Sequence, residues 1–333
     1  MKRVGNLYCQ ISAWDNLRAA FHLARRGARR ARQAVEFERH LDDNLRTLSR
    51  SLQSGSLRLS GYTQFLIKDP KERLITAPAF ADRVLHHAVM RVCEPYFESS
   101  LVSDTFACRK GKGRLAALNR TTEFAQRFGF FLKLDVRKYF ESIPHRILLE
   151  ALSRRFKDNQ LLVLFELLIR SHESRLGCGL PIGSLTSQHF ANFYLGHLDR
   201  FVKQTLRCPA YVRYMDDFAL WANEPRLLRE HWLAVEDFLR LHLGLELKEG
   251  THLNAVRHGM NFCGFRIFPG WRELNRRSRR RFAARMAELE RLGLAGQTPE
   301  RELQARADSL VAFAKEGRSW HFRKWALARA STA

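Results

Sequence analysis

The chain has 333 residues, of which 45% are hydrophobic, which suits a globular protein with one large domain or two to three smaller ones. Its 57 lysine and arginine residues against 34 acidic residues give a net charge of +23 and an isoelectric point near 10.5. This excess of positive charge concentrates polyanions, so nucleic acid is the first partner to consider and a membrane surface the second. The longest apolar run, at 161–169, is interrupted by Glu166 and is too short to span a bilayer.

The cysteines and the amino terminus favour a reducing compartment. The six cysteines lie at least fifteen residues apart and form no C-x-x-C pair, which argues against a zinc knuckle or a disulfide framework. The first residues, MKRVGNLYCQ, lack the apolar core of a signal peptide. The sequence therefore predicts a cytoplasmic protein with free thiols.

The sequence of the first part of the chain predicts helices followed by short strands. Residues 15–53 are mostly helix-forming, with regularly spaced apolar positions. Residues 54–67 predict two strands separated by a turn, and 68–80 a basic, β-prone loop bracketed by two prolines. A helix is expected over 79–98, ending at Pro95.

Acidic residues then interrupt two apolar runs. The run FFLKLDV at 130–136 is typical of a buried strand and places Asp135 at its end, whereas YVRYMDDFALWA at 211–222 predicts a hairpin with Asp216 and Asp217 at its tip. A buried carboxylate without a partner is costly, so a bound cation is expected. One carboxylate at a strand end plus two at a hairpin tip suits two Mg²⁺ ions that assist phosphoryl transfer, and a solvated turn is the alternative.

The segments around these acids complete an α/β pattern. Helices are predicted at 187–206 and 225–245, a strand at 245–250 and a strand pair at 260–270. From residue 271 the composition changes, because six arginines fall within 272–281 and helical sequence follows. We therefore predict an α/β block followed by a C-terminal helical domain.

The order of these blocks resembles that of reverse transcriptases over about residues 60–270. The blocks are KERLITAP, SDTFACRKGKGR, LKLDVRKYF, LPIGSLTSQHFAN, YMDD, LGLELKEG and FCGFRIFP. Within that family, the chain resembles the enzymes of diversity-generating retroelements. The resemblance lies in the block ACRKGKG, in the sequence GSLTSQ after LPI, and in a chain with little beyond fingers, palm and thumb.

The resemblance implies an α/β (α+β) right-hand polymerase, with an antiparallel sheet in fingers and palm and an α-helical thumb. The N-terminal extension and fingers would occupy 1–130, the palm 131–270 with part of the fingers at 145–190, and the thumb 271–333. The implied activity is RNA-directed DNA synthesis that copies a template-repeat RNA into cDNA with errors at template adenines. The implied cofactor is a pair of Mg²⁺ ions, for which Mn²⁺ can substitute. The implied partners are an RNA template, the RNA/DNA duplex, dNTPs and a small oligomeric accessory variability determinant protein, without a membrane.

The resemblance also assigns residue roles around the incoming nucleotide. Asp135, the backbone of Val136, Asp216 and Asp217 would hold metal, with Asp217 mattering less, and Lys248 would protonate the leaving pyrophosphate. The nucleotide-binding set is Lys68, Lys71, Arg73, Val136, Arg137, Lys138, Tyr139, Phe140, Ile182, Gly183, Ser187 and Gln188. In this set Phe140 would exclude a 2′-hydroxyl, and Ile182 replaces a glutamine that touches the nucleotide in retroviral enzymes. Simpler interpretations stay open: core packing for Phe140 and Ile182, solvated surface for Arg73 and Lys248, and a helix N-cap for Ser187.

A second set of residues is assigned to the nucleic-acid backbone. It comprises the glycine-flanked basic loop with Lys110, Lys112 and Arg114, then Tyr214 and Met215, the primer grip at 262–268 with Phe262 and Gly264, and the thumb residues Arg272, Arg276, Arg277, Arg279, Arg280 and Arg281. A solvated polar face is the alternative for any arginine run.

Three other functions compete with this interpretation. A related reverse transcriptase could act in antiviral defence, and a catalytically silent chain could serve as a basic RNA-binding scaffold. The retained acids argue against the scaffold, since buried like charges need a purpose. An RNA-dependent RNA polymerase is disfavoured by Phe140.

Overall fold

The protein is described by a computed structural model over residues 3–28, 31–68, 72–250, 252–296 and 298–330. Its helices are α1 (Tyr8–Ser12), α2 (Trp14–Arg25), α3 (Arg32–Arg39), α4 (Leu41–Gln53), α5 (Phe80–Glu98), α6 (Arg114–Arg127), α7 (Tyr139–Ser142), α8 (His145–Arg155), α9 (Asn159–Arg170), α10 (Leu185–Arg200), α11 (Pro225–Leu243), α12 (Arg276–Leu294), α13 (Glu300–Lys315) and α14 (Trp320–Ala330). Its strands are β1 (Tyr62–Ile67), β2 (Arg73–Pro78), β3 (Phe130–Asp135), β4 (Tyr211–Tyr214), β5 (Asp217–Ala222), β6 (His252–Ala255), β7 (Met260–Phe262), β8 (Phe265–Phe268) and β9 (Trp271–Leu274).

The chain divides into two compact units, each assembled from three segments. The first unit comprises Met1–Ser103, Val136–Thr205 and Val235–Glu249, and the second comprises Asp104–Asp135, Leu206–Ala234 and Gly250–Ala333. The predicted limits of fingers, palm and thumb stay a prediction.

Aromatic packing forms the centre of the first unit. The ring of Phe97 on α5 lies 5.3 to 6.2 Å, between centroids, from the rings of Phe156, Phe165, Phe190 and Phe193. All five side chains are buried. Aromatic pairs at these separations stabilise a core beyond the area that they bury, so they fix α5 against α9 and α10.

The hairpin of the first unit differs from the prediction. β1 pairs with β2, with Tyr62 opposite Pro78 and Ile67 opposite Arg73. The expectation of two strands within 54–67 is wrong, because the β-branched and apolar residues that pair with β1 follow the basic stretch instead of preceding it. The helix expected to end at Pro95 also continues, since α5 reaches Glu98 and buries Phe97 beyond the proline.

A buried histidine connects α5 to the start of α10. His86 is 2% exposed, and its Nδ1 lies 3.0 Å from the hydroxyl of Ser184, which in turn bonds Thr186. Burial lowers the pKa of His86 to about 3, with a smaller contribution from neighbouring His87. The histidine is therefore neutral in the folded protein at every pH at which the protein is handled.

We expect acid to destabilise the protein through His86. The unfolded chain binds a proton below about pH 6.5 and the folded chain does not, so stability is lost as the pH falls from 6.5 toward 3. The loss at pH 5 should be about 2 kcal/mol, and His86→Asn should remove it while keeping a partner for Ser184. Urea unfolding at pH 7.5 and 5.0 measures this, with His22→Asn on the exposed side of α2 as control. An unchanged pH dependence in His86→Asn would contradict the assignment.

The second unit is built on a four-stranded sheet in the order β4-β5-β3-β6. β3 lies between β5 and β6 and is antiparallel to both, with Asp135 opposite Asp217 and Phe130 opposite Ala255. Its side chains Phe131, Leu132 and Leu134 are buried. The predicted buried strand at 130–136 and the predicted hairpin at 211–222 are both confirmed, but only Asp216 lies in the turn, because Asp217 begins β5 and pairs with Tyr214.

A three-stranded antiparallel sheet, β7-β8-β9, packs with the C-terminal helices in the same unit. Phe262, Phe265, Phe282 and Met286 belong to one apolar cluster with Trp221 of β5. The predicted strand pair at 260–270 and the C-terminal helices are confirmed, and β9 adds a strand within the arginine-rich stretch.

One predicted strand is absent. Residues 245–250 form no strand, and Leu247 makes an isolated bridge to Val136. The alternation of apolar and polar residues in LELKEG therefore reflects the burial of Leu245, which is 1% exposed, and does not reflect a sheet. In the described part of the chain, no helix combines the length and the apolar character needed to cross a membrane.

Candidate active site

A tight turn between β4 and β5 presents the paired acids. Tyr214 lies opposite Asp217, so Met215 and Asp216 form a two-residue loop. Met215 has a φ of +57°, a backbone conformation that residues with a side chain rarely adopt. Such strain occurs preferentially at functional sites, where surrounding contacts maintain it.

Asp135 and Asp217 share one face of the sheet. Directly opposite residues of antiparallel strands point the same way, and Lys133, two residues before Asp135, points that way too. The Nζ of Lys133 lies 3.1 Å from the buried Oδ1 of Asp217, although the side chain as a whole is 28% exposed. Sequence reasoning missed Lys133, because this ion pair depends on the register between β3 and β5.

The three carboxylates repel one another. Burial raises the pKa of Asp217 to about 7 against the opposing effect of Lys133. The charges of Asp135 and Asp216 make smaller contributions to this rise. A site that concentrates negative charge in this way favours a cation.

The residues fit a metal that brings other ligands with it. No group of three or more His, Cys, Asp or Glu side chains within 3–28, 31–68, 72–250, 252–296 and 298–330 is arranged to hold a metal ion alone. Mg²⁺ is usually bound by one or two carboxylates, with waters and substrate phosphates completing the octahedron. Asp135 and Asp216 could supply these two carboxylates, because Asp217 is paired with Lys133.

The basic loop before α6 has two kinds of cation. Lys110 is exposed, and the ammonium of Lys112 lies 5.1 Å from the centre of the Phe106 ring. Arg114 instead pairs with Glu316 at 2.7 Å and stacks 4.2 Å over Phe313. Arg114 therefore joins α6 to α13 within the second unit.

The predicted thumb arginines divide in the same way. Arg272 donates to the carbonyl of Glu316 at 2.6 Å and to Thr122 at 3.3 Å, and Arg279 pairs with Glu273 at 2.7 Å. Four others lie exposed on α12 at a helical spacing that places them on one side, namely Arg276, Arg277, Arg280 and Arg281. This arrangement leaves a cationic helix face available to a polyanion.

The turn after β7 is shaped by a close approach. Gly264 has a φ of +91°, and a Cβ on it would meet Phe313 at 3.0 Å and the Ser278 hydroxyl at 3.1 Å. Phe262 is 1% exposed and belongs to the core, so its side chain is not available to a ligand. The predicted primer-grip residues thus pack against α12 and α13.

A family model decides the assignment. The model described as "Reverse transcriptase (RNA-dependent DNA polymerase)" matches residues 67–267, more than half of the chain. The chain belongs to the reverse transcriptase family. The family model's description agrees with the predicted enzyme class, an RNA-directed DNA polymerase, and the diversity-generating subtype is not decided by this match.

Relatives agree with this membership. The reverse transcriptase chain is 25% identical over 256 residues to Protein YkfC of Escherichia coli, covering 63% of this chain and 65% of the relative. It is 22% identical over 172 residues to the group II intron-encoded protein LtrA of Lactococcus lactis, covering 49% of this chain and 29% of the relative. The chain therefore spans less than two thirds of these relatives.

A solved structure supports the fold. Apo telomerase from Candida tropicalis matches with a TM-score of 0.53 at 10% identity, covering 83% of this chain and 59% of that chain. This likeness concerns the fold alone. The right-hand polymerase fold predicted for this reverse transcriptase is confirmed.

The nucleotide-binding residues predicted for the reverse transcriptase fall in the first unit. The backbone N–H of Thr76 on β2 donates to the Ile182 carbonyl at 2.7 Å. A Cβ on Gly183, at φ +121°, would lie 2.9 Å from Ile75. The structure thus joins the hairpin to the LPIG segment. Lys68 and Arg73 are exposed at the end of the hairpin where Ile67 pairs with Arg73, and Lys71 lies outside the described residues.

The segment after β3 is held by backbone bonds of the first unit. Arg137 donates its N–H to the Glu246 carbonyl at 2.9 Å, and its side chain pairs with Glu246 at 3.2 Å. Phe140 accepts from Leu180 N–H at 2.8 Å and is half-buried. The Arg137 amide is therefore occupied, and the role of Val136 to Phe140 in lining a triphosphate stays a prediction. Lys138, at φ +42°, is exposed, whereas Tyr139 is buried with its hydroxyl bonded to the Ala191 carbonyl.

The structure corrects the predicted secondary structure at two site residues, Ser187 and Lys248. The N-cap of α10 is Ser184, so the prediction that Ser187 caps this helix is wrong, and Ser187 is buried inside its first turn. Serines at both positions satisfy the capping pattern, and the extended backbone of Ser184, at φ −93° and ψ 138°, shows that the helix begins after it. Gln188 is half-buried, and Lys248 is exposed outside any strand.

The exposed face of α12 should dominate the salt dependence of duplex binding. Arg276 and Arg280 are exposed, and no ion pair is seen for either among the residues that the structure describes. Each phosphate contact contributes about 0.7 to 0.9 to the slope of log affinity against log salt. Arg276→Gln with Arg280→Gln should therefore reduce the slope for an RNA/DNA duplex by about 1.5. Arg285→Gln is the matched control, because Arg285 pairs with Glu288 at 2.7 Å. Equal slopes in both variants would remove α12 from the interface.

Proposed function

We propose that this chain synthesises DNA on an RNA template by nucleotidyl transfer. The observation that carries the proposal is the placement of Asp135 and Asp216 at the ends of adjacent strands in a chain of the reverse transcriptase family. Asp135 ends β3, and Asp216 lies in the turn that begins β5, the strand paired with β3. This pairing fixes the two side chains to one rigid sheet, as a site for phosphoryl transfer needs.

The proposed cofactor is a pair of Mg²⁺ ions, with Mn²⁺ as a substitute. Asp135 and Asp216 would hold them, and the bound ions would supply charge stabilisation to the attacking and leaving oxygens. Lys133 neutralises Asp217 and keeps that carboxylate against the sheet. Asp217 would therefore set the charge of the site more than it would bind metal.

The residues proposed to contact nucleotide and those proposed to contact the nucleic-acid backbone lie in different units. In the first unit, Arg73 and Lys68 would pair with the triphosphate and Phe140 would select the sugar. In the second unit, Lys110, Lys112 and the α12 arginines would bind the nucleic-acid backbone. Arg114 and Arg272 are committed to Glu316, so they would hold the C-terminal helices in place.

We also propose that the enzyme is of the diversity-generating type. It would copy a template-repeat RNA with errors at template adenines and work with a small accessory protein. The sequence motif GSLTSQ and the apolar Ile182 support this subtype. Isoleucine cannot hydrogen-bond the nucleotide, so the geometry of the new base pair is checked less strictly.

Sequencing of cDNA tests both levels of the proposal. Purified protein is given a primed RNA, four dNTPs and Mg²⁺, with Asp216→Asn in parallel. Errors concentrated opposite template adenines establish polymerase and subtype together. Synthesis with a low, even error rate supports the polymerase and rejects the subtype, whereas no synthesis, with or without Mn²⁺, counts against the polymerase activity of the chain alone.

Ile182→Gln should lower the error rate opposite adenine. The amide would restore a polar contact to the nucleotide, and a polar contact of this kind can contribute about ten-fold in discrimination. Ile182→Val, which shortens the side chain without adding a donor, is the control. An unchanged error spectrum in Ile182→Gln would show that Ile182 serves packing only.

A further inference from the structure

Arg213 is a cation enclosed in the second unit, within a strand that otherwise reads as apolar. Its side chain is 0% exposed, the same as its apolar neighbours Val212 and Tyr211 on β4. Arginine stays protonated in proteins, and a buried charge is costly unless hydrogen bonds compensate for lost water. An arginine at this place therefore calls for a role that an apolar side chain could not fill.

The guanidinium of Arg213 reaches the turn that carries the paired acids. Its Nη1 donates to the carbonyl oxygen of Met215 at 2.9 Å. Met215 is the residue with the left-handed backbone, at φ +57°, and Asp216 follows it directly. The direction of the Asp216 side chain depends on the backbone angles of Met215, so this hydrogen bond acts on Asp216.

The backbone of Arg213 fixes the donor in space. Its N–H donates to the Asp104 carbonyl at 3.0 Å, and its carbonyl accepts from Phe106 N–H at 3.0 Å. On the other edge of β4, Arg213 lies opposite Phe218 of β5. The strand is therefore held on both sides at this residue, and its side chain acts from a fixed base.

We propose that Arg213 is a positioning residue for nucleotidyl transfer: it clamps Met215 in the left-handed conformation and thereby aims Asp216 at the metal. The inference rests on the proposed polymerase function. It also explains why the segment 104–106 pairs with β4, since that pairing holds Arg213 against the turn.

Arg213→Met tests the clamp, because methionine fills similar space without donating. Two readouts are taken on the full chain: Mn²⁺ affinity by electron paramagnetic resonance, and primer extension per active site. We expect Mn²⁺ affinity to fall about ten-fold and kcat to fall at least as much, with the Kd for primed RNA unchanged. Arg213→Lys keeps the charge and a donor, so its Mn²⁺ affinity and kcat should lie between those of Arg213→Met and those of the wild type.

Met215→Gly provides the discriminating control. Glycine adopts positive φ without strain, so the loss caused by Arg213→Met should shrink about five-fold in the Met215→Gly background. If Arg213 were purely structural, Arg213→Met would lower the melting temperature and the active fraction but leave the Mn²⁺ affinity per folded molecule unchanged. Met215→Gly would then give no rescue. That result overturns the proposal. If Arg213→Met does not fold, the same two readouts on Arg213→Lys, alone and with Met215→Gly, decide it by the same criteria.

The Mn²⁺ measurement separates this inference from the proposed function. Wild-type protein that binds Mn²⁺ in an Asp216-dependent manner but extends no primer counts against the polymerase proposal, and the Arg213 comparison is still made by binding. Wild-type protein without Asp216-dependent Mn²⁺ binding overturns the positioning role, because no metal site is then being aimed.

Discussion

Replacing Asp216 with asparagine should abolish cDNA synthesis, with kcat reduced about 10³-fold or more. The substitution removes the charge at the tip of the β4–β5 turn and leaves the register of both strands intact. Asp135→Asn, at the end of β3, should have a similar effect, because both carboxylates are proposed to serve the same ions. Single-turnover primer extension with Mg²⁺ measures the loss, and binding of primed RNA shows that the variants are folded.

Asp217→Asn is the matched control for this prediction. Its carboxylate is paired with Lys133 at 3.1 Å, so residual synthesis should remain. Because the pKa of Asp217 is raised to about 7 in the folded protein, its ionisation costs stability as the pH rises from about 4 to 7. Asp217→Asn should therefore raise the free energy of unfolding of the metal-free protein at pH 8, by about 1 to 2 kcal/mol, and should not do so at pH 4. Equal and mild effects of all three substitutions on synthesis would reject the metal assignment.

Phe140→Ala should make the enzyme accept ribonucleotides. Phe140 is predicted to occupy the space of a 2′-hydroxyl, and removing the ring should reduce discrimination against rNTPs about 100-fold. The carbonyl of Phe140 accepts from Leu180, so the backbone contact at this residue survives the substitution. The ratio of kcat/KM for dCTP and CTP on one template measures the effect.

Tyr139→Phe is the control for sugar selection. This change removes the hydroxyl that bonds the Ala191 carbonyl and keeps the aromatic ring. It should lower stability without changing the ratio for the two nucleotides. If Phe140→Ala lowers activity with dCTP and CTP alike, Phe140 is a core aromatic and not a selector.

Local patterns were sufficient for the strands that carry the acids. FFLKLD and the run around YMDD are short, apolar and bounded by polar residues, which is the pattern of a buried strand, and in the fold each of them has a partner strand. The site also contains two cations that the patterns do not single out. Lys133 and Arg213 act through the β3–β5 register and through a carbonyl in the turn, and single-sequence periodicity contains no information on either.

The wrong assignments have a common cause as well. Among the residues that the structure describes, LELKEG alternates like a strand but makes a single bridge, and the strand-like apolar positions at 54–61 have no partner strand. In both places a local preference was present and a neighbouring strand was not. Ser184 and Ser187 illustrate a similar limit for helices, because serine suits the cap at both positions and only the backbone conformation shows that α10 begins after Ser184.

The central position of β3 in its sheet has a consequence during synthesis on the ribosome. β3 is complete at Asp135, but its two neighbours are β5, which ends at Ala222, and β6, which ends at Ala255. At translation rates of about 5 to 20 residues per second, the apolar strand waits roughly 6 to 24 s for its second partner. Throughout that interval at least one of its edges can recruit strands from other nascent chains. Yield from cells should therefore respond to chaperone supply and growth temperature even though the finished sheet leaves β3 covered on both sides.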